Sequence, residues 1–151
     1  MEQENPVEQD DAAPLVRDVL PVLAAELVRL LEQEGERELA ICAHDLRIVA
    51  DCGCGDDFCQ SFRTEPHPPG TPFGPGHRNV PLLPDRGYLI LDVVHGRIMF
   101  VEVLDRPELR PPLTAALAAP VTAPVDAAPV EAAPVVTAPV DAALTGGDQA
   151  R

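Results

Sequence analysis

The stretch YLILDVVHGRIMFVEVLD, residues 88–105, is the strongest indication of regular structure in this chain. Two apolar runs flank His95 and Gly96, and a glycine in this position suits a two-residue hairpin turn, whose central residues need positive φ. With the turn placed there, the register predicts that Val93 lies opposite Ile98. The segment therefore predicts an antiparallel hairpin at the centre of the fold.

Both faces of this hairpin are largely apolar. The same register places Leu91 opposite Phe100 on the first face and Ile90 opposite Val101 on the second. One helix can cover only one face of a small sheet, so the second face needs another cover. Either the proline- and glycine-rich segment 66–87 or a partner subunit could provide it.

An amphipathic helix is predicted in residues 18–35, DVLPVLAAELVRLLEQEG. Asp18 can cap its start, and Pro21 fits the first turn, where the missing N–H costs nothing. Gly35 can end the helix. Apolar residues recur at steps of three and four, which is typical of one buried stripe. The residues of this stripe are Leu20, Leu23, Leu27, Leu30 and Leu31.

Further strands are predicted between the helix and the hairpin. Residues 36–52, ERELAICAHDLRIVADC, alternate around His44 and Asp45, which predicts a second hairpin that turns there. In that register Cys42 lies opposite Arg47. The side chains that share the other face are Leu39, Ile41, Ile48 and Ala50.

A third strand and a long irregular segment follow. Residues 58–65, FCQSFRTE, predict a strand with Phe58 and Phe62 on one side and Cys59 on the other. Residues 66–87 are rich in proline and glycine, and we expect no regular element there.

Together these elements predict an α+β fold, with one N-terminal amphipathic helix packed on a small antiparallel sheet of about five strands. The single domain is expected to span residues 14–112. Residues 1–13 carry five acidic residues and no basic one, which predicts a disordered acidic leader. Residues 113–151 repeat Ala-Pro-Val five times and predict a disordered tail. The tail could be a solubilising spacer or a docking peptide for a proline-recognising partner.

Charge and hydropathy narrow the classes of partner. The chain of 151 residues has 25 acidic and 11 basic side chains and a formal net charge of −14. Binding to a nucleic-acid backbone or to an anionic membrane relies on Lys and Arg, so we expect neither. The sequence shows neither a signal peptide nor a run of about 18 apolar residues. We therefore expect a cytoplasmic protein with reduced cysteines.

The stretch DCGCGDDFC, residues 51–59, carries three of the four cysteines. Cys52 and Cys54 point to one side of an extended chain because side chains alternate, and Cys59 returns a third thiol. The intervening glycines permit the backbone to curl around an ion. Three thiolates with one histidine form an accepted structural zinc set, so the turn predicts a zinc site.

The fourth zinc ligand is predicted to be His44. His67, His77 or one of the aspartates could take the same place, because each lies on a predicted turn or loop. Two other interpretations of the cysteine turn stay open. One is a redox centre, although neighbouring aspartates would raise the thiol pKa. The other is a plain acidic turn with inert thiols.

Three segments, CGCGDDFCQSF, GPGHRNV and LDVVHGRIMFVEVL, resemble in content and order a group of small uncharacterised bacterial proteins. The similarity covers roughly residues 38–105. No activity is assigned to that group, so the resemblance implies a compact domain and transfers no active site.

Sequence motifs of catalysis, such as Gly-x-Ser-x-Gly, a P-loop or a dinucleotide fingerprint, do not occur. We therefore predict a non-enzymatic interaction or regulatory domain, stabilised by a structural zinc at the cysteine turn. A protein partner or a homodimer would use the doubly apolar hairpin. The alternative is a thiol- or metal-dependent enzyme with Cys52, Cys54 and Cys59 as ligands or nucleophiles.

Overall fold

The structure, a computed structural model, describes residues 12–119. In this range, helices pack on a five-stranded antiparallel sheet with the strand order β1-β2-β5-β4-β3. The predicted α+β class is confirmed. The helices are α1 Val16–Val19, α2 Pro21–Gln33, α3 Arg37–Ala43 and α4 Arg110–Ala118, the last preceded by a short 3₁₀ turn, Pro107–Leu109. The strands are β1 Ala50–Asp51, β2 Phe62–Arg63, β3 His77–Leu82, β4 Tyr88–Val94 and β5 Arg97–Leu104.

One hydrophobic core lies between the helices and the sheet. All five leucines of the predicted helical stripe are buried in it, which confirms the amphipathic pattern. The strands contribute every second residue of β4 and the matching face of β5. These strand residues are Leu89, Leu91, Val93, Ile98, Val101 and Val103.

The predicted first helix is interrupted. It is split at Leu20, whose φ of −129° and ψ of 62° are not helical. A residue before proline is disfavoured in the helical region, so Pro21 starts a new helix. The expectation that Asp18 caps the helix was wrong, because Asp18 lies inside α1 and neither N-cap of α1 and α2 has a side-chain hydrogen bond.

The predicted second hairpin around His44 was also wrong, since residues 37–43 form helix α3. Gly35, with φ of +79°, ends α2 as expected and turns the chain directly into this helix. A short apolar run fits either structure, and here the helix buries Leu39 on the core side. Ile41, expected on the same face, is 70% exposed instead.

The closing hairpin has the predicted turn but only part of the predicted register. His95 and Gly96 have φ of 48° and 78°, and Val93 pairs with Ile98. A β-bulge between Asp92 and Val93 then shifts the pairing, so the predicted partners further from the turn were wrong. The observed pairs there are Leu91 with Val101, Asp92 with Phe100 and Ile90 with Glu102.

This bulge decides which side of β5 is buried. Without it, Ile98 and Glu102 would lie on the same face, because they are an even number of residues apart. With the extra residue, Val101 and Val103 join Ile98 in the core, while Glu102 stays half-buried on the other face. The bulge therefore keeps a carboxylate out of the core.

The expectation that residues 66–87 hold no regular element was wrong. The proline-rich segment 66–87 contains β3, an edge strand paired with β4. Pro81 fits there because an edge strand has one side without ladder hydrogen bonds. Helix α4 continues to Ala118, beyond the predicted domain end at residue 112, because Leu113 is buried in the core. Most of the predicted leader and tail lies outside the described residues.

The outer face of the sheet is partly covered by the proline-rich loop. Phe73 lies between two histidine rings, with centroids 4.6 Å from His67 and 5.0 Å from His77. His77 Nε2 lies 2.6 Å from Asp92 Oδ1 on β4. The loop is thus attached to the outer face at one corner, and a partner subunit on the rest stays a prediction.

Candidate metal centre

The cysteine turn is a closed loop between two short strands. Asp51 of β1 pairs with Phe62 of β2, and the Cys52 N–H donates to the Ser61 carbonyl at 3.2 Å. This pairing holds the two ends of the loop together. Residues 52 and 61 are therefore neighbours, although the loop between them is exposed over most of its length.

Two glycines shape the loop between the cysteines. Gly53 and Gly55 have φ of 72° and 70°, a conformation in which other residues are strained. The Cys59 N–H then donates to the Asp56 carbonyl at 3.1 Å and closes a tight turn. These reversals bring the three thiols to one side of the loop.

The three sulfur atoms form one cluster. Cys52 Sγ lies 3.1 Å from Cys54 Sγ and 3.4 Å from Cys59 Sγ. All three lie within 4.8 Å of one another, and all are free thiols. Cys52 and Cys59 are half-buried, whereas Cys54 is exposed. This arrangement could hold a metal ion.

The thiols of Cys52 and Cys54 differ in acidity. Burial raises the pKa of Cys52 to about 12, so its thiol is protonated at neutral pH in the metal-free chain. The pKa of Cys54 is lowered, mainly because the Asp56 N–H donates to its sulfur at 3.5 Å. The carboxylate of Asp56 raises this pKa, as expected of a neighbouring aspartate, but the hydrogen bond from the N–H has the larger effect.

The structure does not bring a histidine to the cluster. In the range 12–119, the three cysteines are the one group of possible metal ligands with mutually close donor atoms. His44 lies at the end of α3, where its carbonyl accepts a hydrogen bond from Arg17, and it is not part of this group. His67 stacks on Phe73, and His77, the first residue of β3, lies against the same ring in a tilted arrangement.

A small cavity of about 130 Å³ adjoins the cysteines. Its walls include Asp51 and Asp56 on the loop side and Leu113 and Thr114 of α4. Aspartates were among the alternatives to a histidine ligand that the sequence suggested, and these two line the same cavity as the cysteines. The cavity also places the last helix beside the sulfur cluster.

Arg110 is the functional residue that sequence reasoning missed. Its Nη2 donates to the carbonyls of Asp56 and Cys59, at 2.6 and 2.7 Å. These partners are more than 50 residues away along the chain. Local patterning carries no signal for such a contact.

Comparison with models of protein families, with curated proteins and with solved structures found no match. The resemblance to small bacterial proteins therefore stays a prediction. In the part of the chain that the structure describes, no helix is long and apolar enough to cross a membrane.

Proposed function

We propose that this chain is a small non-enzymatic regulatory or interaction domain whose cysteine turn binds a structural zinc ion. The observation that carries the proposal is the convergence of Cys52, Cys54 and Cys59, with sulfur separations of 3.1 and 3.4 Å. Zinc prefers thiolate ligands at about 2.3 Å in a tetrahedral arrangement. A small loop that presents three thiols to one point suits this preference.

The charge of the cluster favours a cation. Three thiolates this close together repel one another strongly, and neutral thiols interact with one another only through weak S–H contacts. A divalent ion removes the repulsion and joins the loop at three points. Water or the carboxylate of Asp51 or Asp56, which line the same cavity, would complete the tetrahedron.

A structural role fits the position of the cluster. The loop joins β1 to β2, two strands of only two residues each, at one edge of the sheet. Such short strands contribute few ladder hydrogen bonds, so a metal that fixes their connection would stabilise this edge. Structural zinc contributes directly to folding free energy in small domains.

The proposed partner surface is apolar and lies at the other edge. Leu83 follows β3 and Tyr88 starts β4, and both side chains are largely exposed. Aromatic and aliphatic side chains of this kind commonly anchor protein interfaces. A protein partner or a second copy of the chain would bind there.

A second candidate function is thiol chemistry at Cys54. Its thiol is exposed, its pKa is lowered, and Cys52 stands close enough to form a disulfide with it after oxidation. Thiols that react faster than free cysteine near pH 7 would favour this function over the zinc site.

We expect protein purified without chelator to contain about one zinc ion per chain. Cys54→Ser should lose the metal and part of the thermal stability, because one of three thiolate ligands is removed. Cys42→Ser is the matched control, since Cys42 is an exposed thiol on α3 outside the cluster. Elemental analysis and thermal unfolding measure both effects.

No bound metal with freely titrating thiols would refute the zinc site. Equal metal loss in Cys42→Ser and Cys54→Ser would likewise contradict the proposed ligand set. In the cobalt-substituted protein, the ligand-field spectrum should show tetrahedral thiolate coordination and should change in Cys54→Ser only.

Zinc affinity is expected to rise with pH between pH 6 and pH 8. The pKa of Cys52, raised to about 12, keeps its thiol protonated throughout this range, so zinc must displace that proton. Each proton released on binding makes the apparent affinity about tenfold higher per pH unit. Competition titrations with a chromophoric chelator at several pH values measure the slope. A pH-independent affinity would contradict binding through a protonated thiol.

A further inference from the structure

The turn that carries the cysteines is also bound from its other side by helix α4. Arg110, the first residue of α4, donates from Nη2 to the carbonyl of Asp56 at 2.6 Å and to that of Cys59 at 2.7 Å. Two carbonyls that accept from one nitrogen fix the position of the turn relative to the helix. The guanidinium thus links α4 to the backbone of the cluster.

Of the same two residues, one contacts the sulfur cluster and the other belongs to it. The Asp56 N–H donates to Cys54 Sγ at 3.5 Å, and Cys59 supplies one of the three sulfurs. The turn is therefore shared: its sulfur side can face a metal, and its carbonyl side faces Arg110. A change of backbone position on one side must alter the distances on the other.

Side chains of α4 complete the contact. Leu113 is buried, and together with Thr114 and Leu117 it lines the cavity whose opposite wall is formed by the cysteines. Leu117 is only partly buried against the core. The buried Leu113 thus anchors the first half of α4 in the core, whereas the partly buried Leu117 holds its last turn less firmly.

We propose that metal binding at the cysteine cluster and the docking of α4 are coupled, so that the metal state regulates how firmly this helix is held. The inference rests on the proposed zinc site. Without metal, hydrogen bonds of the backbone and of Arg110 hold the turn, and only S–H contacts hold the sulfurs to one another. Zinc replaces the thiol protons, which pass to solvent. The bound ion then fixes the turn whose carbonyls accept hydrogen bonds from Arg110.

Coupling of this kind is reciprocal. If zinc strengthens the docking of α4, then removal of the Arg110 contact must weaken zinc binding by the same factor. Groups that orient metal ligands without touching the metal commonly change affinity by about 10- to 100-fold. Because Arg110 contacts backbone rather than ligand side chains, we expect about a tenfold loss, at the lower end of that range.

The test uses the full chain and zinc alone. Hydrogen exchange of the amides in residues 110–118 should slow when zinc is added to the metal-free protein, most strongly in the last turn. Arg110→Gln should bind zinc about tenfold more weakly than the wild type. Arg97→Gln is the matched control, because Arg97 pairs with Glu65 on the surface and lies outside the cluster of Cys52, Cys54 and Cys59.

The outcomes separate the two proposals. If zinc binds the wild type but exchange in α4 is unchanged, or Arg110→Gln binds like Arg97→Gln, the coupling is refuted and the zinc site stands. If the wild type binds no zinc, both proposals fall. The comparison of hydrogen exchange with and without zinc uses only the wild type. It can therefore refute the coupling even if Arg110→Gln folds poorly.

Discussion

Phe62→Ala is expected to lower the free energy of unfolding by about 4 kcal/mol, because it removes a fully buried aromatic side chain. Phe62 is 0% exposed, and it stands opposite Val101 where β2 joins the central hairpin. Its removal would leave a large cavity at the junction between the short strands and the core. β1 and β2 have only two residues each, and hydrogen bonds of Gln60, Ser61 and Thr64 with β5 also hold this edge.

Phe58→Ala is the matched control, since it removes the same side chain four positions earlier. Phe58 is 48% exposed, so its truncation should cost less than about 1 kcal/mol. Chemical denaturation of the metal-free proteins measures both losses without a contribution from zinc. Similar losses for the two variants would show that Phe62 is not the anchor of this edge.

Arg106→Met is expected to cost about 3 kcal/mol, because it leaves a largely buried carboxylate without its partner. The Arg106 side chain is 8% exposed and lies between Glu26 of α2, at 2.9 Å, and Glu108, at 3.1 Å. The ion pair of Arg106 with Glu26 therefore connects α2 to the segment that follows β5. Methionine keeps most of the apolar stem but removes the charge.

The double variant Arg106→Met/Glu26→Gln should recover part of this loss, because it also removes the unpaired negative charge of Glu26. Arg97→Gln again serves as control, because its ion pair with Glu65 involves a guanidinium that is 67% exposed and should contribute less than about 1 kcal/mol. Equal losses for Arg106→Met and Arg97→Gln, measured by denaturant unfolding, would contradict a buried role for Arg106.

The candidate site was predictable to the extent that it depends on neighbouring residues. The alternation of Cys52 and Cys54, the glycines between them and the return of Cys59 are local features, and the structure brings these three sulfurs together. The fourth ligand was not predictable in this way. His44 was chosen because it lies on a predicted turn, and helix α3 replaces the hairpin to which that turn belonged.

The local sequence determined the closing turn at His95 and Gly96, the leucine stripe of the first helices and the end of α2 at Gly35. Each depends on periodicity or on backbone preferences within a few residues. Tertiary structure decided the rest: α3 in place of a strand, the edge strand β3, and the contact of Arg110 with the cysteine turn. Short apolar runs fit helix or strand equally well, so burial against distant residues selects between them. The bulge in the hairpin of β4 and β5 likewise depends on tertiary structure. It keeps Glu102 out of the core, and that core forms only when the helices pack on the sheet.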